Sequence, residues 1–161
     1  MNAIELLEHQ HREVEALFRQ LEKARSAGPR RRIFEGIADA LAIHATIEEK
    51  HFYPSVRAKA TQELLLESLE EHLAIRRVLA DLLGTDVSDG TFEAKIKVLK
   101  DEVRHHVEEE EGELFPKVAR VLDEDDLELI GAAMEQTQQE LLANGSPRKA
   151  VPSETERAAT L

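Results

Sequence analysis

Apolar residues recur along this chain at alternating steps of three and four positions, the spacing of a helix that buries one face. The first segment, residues 3–25, shows this pattern clearly. Its stripe consists of Ile4, Leu7, His11, Val14, Phe18 and Leu21. One member is a histidine at a position where a buried face normally has a hydrophobic side chain, and the same exception recurs in every later stripe.

Three further segments of similar length have the same kind of stripe. They cover residues 31–57, 62–83 and 91–122. The connections between the four segments are short, namely Ser26–Pro29, Lys59–Thr61 with Thr61 as N-cap, and Gly84–Gly90. Because short connections place successive helices antiparallel, residues 1–122 are predicted to form an all-α, up-down-up-down antiparallel four-helix bundle.

Two prolines and the end of the chain add detail to this architecture. Pro54 and Pro116 should kink or interrupt the second and the fourth helix. The acidic run Asp123–Asp126 favours the start of a short additional C-terminal helix within residues 123–143. Residues 144–161 combine glycine, two prolines and scattered charges, a composition that predicts a disordered tail.

Charge and composition exclude several classes of function. Lys and Arg total 21 against 33 Asp and Glu, so the net charge is −12 and neither a nucleic-acid surface nor an anionic membrane surface is expected. The sequence has no cysteine, which removes disulfides, zinc–thiolate sites and thiol chemistry. No apolar run approaches the roughly 20 residues of a membrane helix, so we expect a cytoplasmic protein.

Each of the four stripes has one histidine where a bundle usually has leucine or isoleucine. Two stripes also have a glutamate four residues after the histidine, which places an imidazole and a carboxylate on one helix face. Without partners, these groups would be costly to bury. The six residues are His11, His44, Glu48, His72, His106 and Glu110.

The spacing of the histidines predicts that they share one level of the bundle. In an antiparallel hairpin, residues equally distant from the turn are neighbours, and the midpoints between successive histidines fall at Ala27–Gly28, Ala58 and Asp89, at or beside a connection. The chain also contains an internal repeat with offsets of 61 and 62 residues. Each half supplies one lone histidine and one His-x-x-x-Glu motif, which predicts two metal ions related by a pseudo-twofold axis.

Imidazole nitrogens and carboxylate oxygens without sulfur select first-row transition metals over magnesium, calcium or iron–sulfur clusters. The simplest allocation gives each metal ion two histidines, with both glutamates bridging and an oxo or hydroxo bridge between the ions. Each ion then has five donors. A sixth octahedral position is left for a small ligand such as dioxygen, unless water or another side chain fills it.

The combined pattern resembles the hemerythrin-like cation-binding (HHE) domain over about residues 3–122. The matching residues are His11, His44-x-x-x-Glu48, His72 and His106-x-x-x-Glu110, with the tails Phe52-Tyr53-Pro54 and Leu114-Phe115-Pro116. The resemblance implies a non-haem di-iron site in a four-helix bundle. The chain departs from oxygen-carrying hemerythrins at Arg76, where they have a second histidine, and this argues against reversible oxygen carriage. It also lacks the cysteines of iron–sulfur-cluster repair relatives.

Further polar residues near the stripes are predicted to support the ligands by hydrogen bonds, namely Glu15, His51, Arg76 and Glu113. The arginine of this set is also a candidate to line the ligand pocket and favour anions. His105 with Glu109 is a competing pair four residues apart, but the stripe favours His106 with Glu110. Tyr53 is interpreted as a packing residue, with a radical or gating role as the alternative.

Three functions are consistent with these residues. We favour a protein that binds or senses a small ligand such as dioxygen, nitric oxide or peroxide, or iron itself, at a di-iron site. The alternatives are a catalase-like or peroxidase-like enzyme that consumes peroxide with the same metals, and a helical interaction module with zinc or no metal. The additional C-terminal helix would then contact a second copy or a protein partner. Zinc or manganese are possible substitutes for iron.

Overall fold

The computed structural model of the chain describes residues 1–58 and 61–161, and all regular secondary structure in these ranges is helical. Two residues of the predicted second connection, Lys59 and Ala60, lie outside the described residues. In the ranges that the structure covers, no helix combines the length and the hydropathy of a membrane-spanning segment.

Four long helical stretches precede one further helix, as the hydrophobic stripes predict. The elements in chain order are α1 (Ala3–Lys23), α2 (Ala27–Ile47), the π-helical turn π1 (Glu48–Phe52), α3 (Tyr53–Ser55), α4 (Gln62–Leu83), α5 (Phe92–Glu109), the π-helical turn π2 (Glu110–Leu114), α6 (Phe115–Val121), α7 (Glu124–Ala143) and a 3₁₀ helix (Pro147–Glu154). π1 and α3 continue α2, and π2 and α6 continue α5. α1 packs against α2, α4 against α5, and α2 against α4.

The N-termini of the first two helices show how the sequence sets their bounds. Asn2 caps α1 because its side chain accepts the N–H of Glu5, while the Glu5 carboxylate accepts the N–H of Asn2, a reciprocal capping box. α2 begins at Ala27, earlier than predicted. Pro29 is compatible with this start because the first turn of a helix needs no backbone N–H at that position.

The predicted kink in each motif helix takes the form of a π-helical turn before the proline. The backbone N–H of Tyr53 donates to the carbonyl of Glu48, and that of Phe115 donates to the carbonyl of Glu110, in each case five residues back. A proline ring clashes with the carbonyl four residues before it in a regular α-helix, and the wider turn relieves that clash. Isolated π turns occur mostly at functional sites, and both of these begin at a motif glutamate.

The histidine level separates two hydrophobic clusters. Along α1, Leu7 belongs to one cluster and Val14 to the other, with His11 between them. The other three long helices also change cluster near their histidine. Phe34 and Phe92 anchor one cluster by an edge-to-face contact with ring centroids 5.8 Å apart. A polar layer is therefore enclosed between apolar ends that keep it from solvent.

α7 belongs to the same folded unit as the four preceding stretches. Asp123 is its N-cap and accepts a backbone N–H at 3.0 Å, so the acidic helix start is where the sequence predicts it. Gly131 lies so close to the N-terminus that a Cβ there would be 2.5 Å from the carbonyl oxygen of Met1. Leu127 and Met134, two residues that could have faced a partner, are instead buried in this chain.

The predicted disordered tail is corrected by the structure. Pro147–Glu154 forms a 3₁₀ helix that packs against α2 and α4. Val151 is 1% exposed and lies within the cluster that contains Val14, while Arg148 donates to the carboxylate of Asp39 at 2.8 Å. The polar composition indicated disorder, but one buried side chain and specific ion pairs are enough to hold this segment on the helices.

Candidate metal centre

The six side chains predicted to bind metal lie together in one buried layer, called here the histidine–glutamate layer. Each residue is at most 5% exposed and has a ring nitrogen or a carboxylate oxygen within 3.4 Å of another member. The members are His11, His44, Glu48, His72, His106 and Glu110. Residues distant in sequence thus form one polar cluster in an otherwise apolar interior.

Glu110 lies between histidines of both hairpins. Its Oε2 is 3.2 Å from Nε2 of His11 and 3.9 Å from Nε2 of His44. Its Oε1 is 3.4 Å from Nε2 of His106, the histidine of its own motif. One carboxylate therefore faces three imidazoles, which is the placement that a bridging carboxylate requires.

Glu48 has the corresponding place in the other half of the repeat. Its Oε2 is 3.3 Å from Nε2 of His44, the histidine of its own motif. The same oxygen is 3.0 Å from Nε2 of His72 and 3.8 Å from Nε2 of His106. The repeat in the sequence is thus a repeat in the geometry of the layer.

The four imidazoles form two pairs, one from each hairpin. The rings of His11 and His44, the α1–α2 pair, have centroids 4.8 Å apart. The rings of His72 and His106, the α4–α5 pair, are also 4.8 Å apart. Between the pairs, His44 and His106 are separated by 6.4 Å. The two glutamates lie between the pairs, and His44 and His106, one from each pair, share a possible metal-ligand group with Glu48 and Glu110.

Several polar atoms of the layer indicate a cation site because they make no hydrogen bond within the described residues. His11 Nε2, His44 Nε2, Glu48 Oε1 and Glu110 Oε2 are buried without a hydrogen-bond partner among the residues that the structure describes. Unpaired buried polar atoms are costly, and their lone pairs converge here. His44, Glu48, His106 and Glu110 each offer one ligand atom within 4.8 Å of the others. This set of nitrogen and oxygen donors fits a first-row transition metal.

Each histidine of the layer directs its other ring nitrogen, Nδ1, to an acceptor outside the layer. The acceptors are Glu111 for His11, Gln10 for His44, Glu49 for His72 and Glu71 for His106, at distances of 2.8, 2.8, 2.9 and 2.8 Å. With the proton on Nδ1, the lone pair of Nε2 points into the layer. This is the tautomer and the support that metal-binding histidines have.

None of these four acceptors is among the predicted supporting residues, although the internal repeat contains the signal. Gln10 and Glu71 each precede a lone histidine, and Glu49 and Glu111 each follow a motif glutamate. Each acceptor bonds to a histidine on a neighbouring helix. Only the packing of the helices shows which histidine it meets.

Tyr53 lies inside the layer and does more than the packing predicted for it. Its Oη is 2.8 Å from Glu110 Oε1, 3.1 Å from Glu48 Oε2 and 3.2 Å from Nε2 of His72. Its ring stacks on His72 with centroids 5.5 Å apart, and its repeat partner Phe115 stacks on the other lone histidine at 5.9 Å. The hydroxyl is therefore the one feature by which the two aromatic residues differ.

The electrostatics of the layer keep its carboxylates ionised and its phenol neutral. Burial opposes ionisation of Glu110, but the charge of His106 and the closeness of the His11 and His44 imidazoles hold its pKa well below the usual range. The pKa of Glu48 is lowered as well, since nearby histidines outweigh the effects of burial and of Glu110. Burial and the two carboxylates raise the pKa of Tyr53 well above its usual value.

Three of the four histidines favour protonation when no cation is present. Burial lowers the pKa of His106, but the charges of Glu110 and Glu48 and a hydrogen bond to Glu71 outweigh it and raise the pKa well above the usual value. The pKa values of His72 and His11 are raised for the same kind of reason. His44 differs, because burial dominates there and lowers its pKa. Protons thus partly balance the carboxylates that a cation would balance.

Arg76 supports the layer indirectly. Its guanidinium donates to both carboxylate oxygens of Glu49, at 2.6 and 3.0 Å, and Glu49 accepts from Nδ1 of His72. Burial raises the pKa of Glu49, yet the bonds from His72 and Arg76 outweigh it and lower the pKa to about 2. The hydrogen bonds of Arg76 therefore fix a supporting carboxylate.

The other three predicted supporting residues do not reach the layer. His51 lies 2.7 Å from the hydroxyl of Thr137 on α7, and Glu113 is exposed. Both lie within a π turn, whose wider winding rotates the helix face and removes them from the inward stripe. Glu15 pairs with Arg19 at 3.2 Å on the surface, since the stripe of α1 continues through the residue before it.

The competing pair lies at the surface, as the stripe indicates. His105 is 58% exposed, and its Nε2 is 3.4 Å from Glu109 and 3.1 Å from Glu71. His106 and Glu110 are 3% and 0% exposed. The buried pair is therefore the one that faces α1, α2 and α4.

A cavity of about 30 Å³ adjoins the layer. Its lining includes all four histidines together with Val14, Leu41, Ile75, Arg76, Leu79 and Val103. This volume accommodates one or two molecules of about the size of water. Its walls are mostly apolar, so the geometry suits a diatomic or similarly small ligand.

Comparisons with known proteins agree with this geometry. A hemerythrin HHE cation binding domain-containing protein from Mycobacterium kansasii, of known crystal structure, matches with a TM-score of 0.79 and 27% identity over 96% of this chain and 99% of that chain. A DNA nickase from Nostoc sp. strain PCC 7120 is 28% identical over 128 residues, which are 80% of this chain and 36% of the relative. The chain thus spans about a third of the length of that curated relative.

The sequence also matches a described family over most of its length. The Hemerythrin HHE cation binding domain covers residues 2–118, which include every member of the histidine–glutamate layer. The chain belongs to the hemerythrin HHE cation-binding domain family.

Proposed function

We propose that this chain binds two iron ions in the histidine–glutamate layer and uses them to bind or sense a small ligand. The observation that carries the proposal is the convergence of buried, unpartnered nitrogen and oxygen atoms beside an apolar cavity of about 30 Å³. The candidate ligands are dioxygen, nitric oxide and peroxide, which are small enough for that cavity. Membership of a cation-binding family supports the same function.

In this proposal each histidine pair holds one ion and both glutamates contact the two ions. His11 with His44 would hold the first ion, and His72 with His106 the second. The antiparallel up-down-up-down order of the four helical stretches is part of the proposal, because it places the four histidines at one level. Zinc and manganese accept the same donors, so iron must be established by analysis.

The residues around the ions position the donors and limit access of water. The four Nδ1 acceptors fix the imidazole rings, and the hydroxyl of Tyr53 orients the carboxylates of Glu110 and Glu48. The apolar walls of the cavity exclude bulk solvent from the side of the layer that faces the cavity. When bound, two iron ions supply electrons and a free coordination position for a diatomic gas or peroxide.

The nicking of DNA is not part of this proposal. That activity is named for a relative of which this chain matches 36%. A net charge of −12 disfavours binding to the phosphates of DNA. If a protein partner binds α7, it binds the outer face of this helix, where Leu129 is 73% exposed.

Metal analysis with an optical spectrum, on protein purified without chelator, tests the proposal. We expect two iron ions per chain and charge-transfer absorption in the near ultraviolet that changes when azide or nitric oxide is added. Zinc or no metal, with no recovery of absorption after anaerobic iron loading, would contradict the iron function. Steady-state consumption of added peroxide would identify the enzyme alternative, and stoichiometric reaction would favour binding or sensing.

A further inference from the structure

The internal repeat makes the two histidine pairs comparable residue by residue, and they differ in one supporting group. In the α1–α2 pair, Nδ1 of His44 lies 2.8 Å from Oε1 of Gln10, an uncharged amide oxygen. In the α4–α5 pair, Nδ1 of His106 lies 2.8 Å from Oε1 of Glu71, a carboxylate oxygen. Gln10 and Glu71 each directly precede the lone histidine of their half, so the repeat aligns them.

The second supporting position has the same charge in both pairs. Nδ1 of His11 meets Glu111 at 2.8 Å, and Nδ1 of His72 meets Glu49 at 2.9 Å. Each of these carboxylates is paired with an arginine. The two pairs thus differ at one acceptor, which is the amide of Gln10 in one half and the carboxylate of Glu71 in the other.

The amide acceptor is held in place by a further residue. Gln10 donates its Nε2 to Oε1 of Gln138 on α7 at 2.6 Å, which turns its own amide oxygen toward His44. Oε2 of Glu71 lies 3.1 Å from Nε2 of the exposed His105 but has no hydrogen-bond partner among the residues that the structure describes, so Glu71 bonds to His106 through Oε1. The difference between the pairs is therefore one of residue type at two matching positions of the repeat.

A carboxylate supports a metal-binding imidazole more strongly than an amide does. When Nε2 donates to a cation, the ring gains positive charge, and an ionised acceptor at Nδ1–H stabilises that charge. Supporting groups of this kind change metal affinity by about 10–100-fold. An amide at the same place forms a neutral hydrogen bond, which is roughly half as strong.

We propose that the two metal positions are inequivalent, and that the α4–α5 pair binds its ion more tightly and fills first because Glu71 supports His106. The α1–α2 pair, with Gln10 in the matching place, binds the second ion more weakly. This inference rests on the proposed two-metal function and adds an order of filling to it. Partial loading would then give one defined species instead of a random mixture.

Calorimetric titration of the metal-free full-length chain with zinc tests the inequivalence. We expect two binding steps whose Kd values differ by about tenfold or more. Crystals grown with one equivalent of zinc should show the anomalous signal between His72 and His106. Zinc is used because its binding needs no oxidation state to be controlled.

Exchange of the two supporting residues tests the cause. Glu71→Gln should bring the two Kd values together, and Glu71→Gln combined with Gln10→Glu should reverse the order, with the first ion at His44. Gln10→Glu alone should tighten the weaker step about tenfold. Glu70→Gln, the same change at the exposed residue directly before Glu71 on α4, is the matched control and should leave both steps unchanged.

The outcomes separate this inference from the proposed function. Two zinc ions bound with equal affinity, or an order of filling that the exchange does not alter, would overturn the inference and leave the two-metal function standing. A folded chain that binds no metal would overturn both. Circular dichroism of each variant shows whether the helices are retained, and Gln10→Glu gives a gain of affinity that misfolding does not produce.

Discussion

The guanidinium of Arg76 holds both carboxylate oxygens of Glu49, at 2.6 and 3.0 Å, within the wall of the histidine–glutamate layer. The resemblance described above places Arg76 where oxygen-carrying hemerythrins have a second histidine. In this chain the position therefore stabilises a supporting carboxylate, which in turn accepts from Nδ1 of His72. The layer thus has no imidazole at this position, and its neighbour Glu49 is held by two hydrogen bonds instead.

Arg76→Leu should lower the free energy of unfolding of the metal-free protein by about 1.5–3 kcal/mol, because the half-buried carboxylate of Glu49 loses two hydrogen bonds from the guanidinium. Urea denaturation measures this change. Arg77→Leu is the control, since Arg77 is exposed and donates to the carbonyls of Thr155 and Glu156. An equal loss of unfolding free energy in the two variants would show that the Arg76–Glu49 pair contributes no more to stability than a surface arginine does.

His106→Ala should reduce the metal content below two ions per chain while the helical circular dichroism is retained, because one donor of the α4–α5 pair is lost. Elemental analysis after dialysis provides the measurement. His105→Ala, a change at the adjacent residue that is 58% exposed, should keep the wild-type content. Two ions per chain in His106→Ala would contradict the placement of the metal in the layer.

Tyr53→Phe should destabilise the metal-free protein by about 1.5–3 kcal/mol, because the hydroxyl bonds to ionised Glu110 while the ring alone preserves the stacking on His72. Tyr53→Leu should cost more, since it removes the stacking as well. Thermal and urea denaturation of both variants give the comparison. An unchanged stability in Tyr53→Phe would mean that the hydroxyl bonds contribute nothing.

The stability of the metal-free protein should fall as the pH rises above 6.5. The pKa values of His11, His72 and His106 are raised in the fold, so between 6.5 and those raised values the folded chain holds more protons than the unfolded chain. The lowered pKa of His44 acts below pH 6.5, where it reduces stability as the pH falls, and so does not oppose this loss.

Below pH 4.5 the stability should instead fall as the pH falls. The pKa of Glu49 is lowered from 4.5 to about 2, so its contribution to stability is complete above 4.5 and is lost as the pH falls toward 2. Urea denaturation between pH 3 and 9 should therefore show its maximum between about 4.5 and 6.5. Metal affinity should instead rise with pH, because protons compete for Nε2. A stability that rises steadily from pH 6 to 9 would contradict the raised histidine pKa values.

Val151→Asp should lower the free energy of unfolding by about 2–4 kcal/mol, because it removes a buried valine and places a charge against the hydrophobic cluster. The melting temperature gives the measurement. Ser153→Asp, two residues later and exposed, should have little effect. If neither variant changed the melting temperature, the C-terminal 3₁₀ helix would not be part of the stable fold.

The sequence by itself determined the helices and the level of the histidines. The hydrophobic stripe of α1 is a periodic property that can be read from the sequence alone. The same holds for the equal spacing of the histidines about the connections, namely His11, His44, His72 and His106. The same periodicity separated His106, which is buried, from His105, which is exposed. The repeat indicated that two halves contribute equivalent groups.

Only the tertiary structure decided which residues support the layer and what the end of the chain does. The four hydrogen bonds that support the histidines join different helices, so the periodicity within one helix does not predict them; their acceptors are Gln10, Glu71, Glu49 and Glu111. The π turns also shift the inward face of the helix after each motif glutamate. Val151 is buried because a gap between α2 and α4 accepts it. Periodicity fixes which face of a helix is buried, whereas the partners across that face depend on how helices pack.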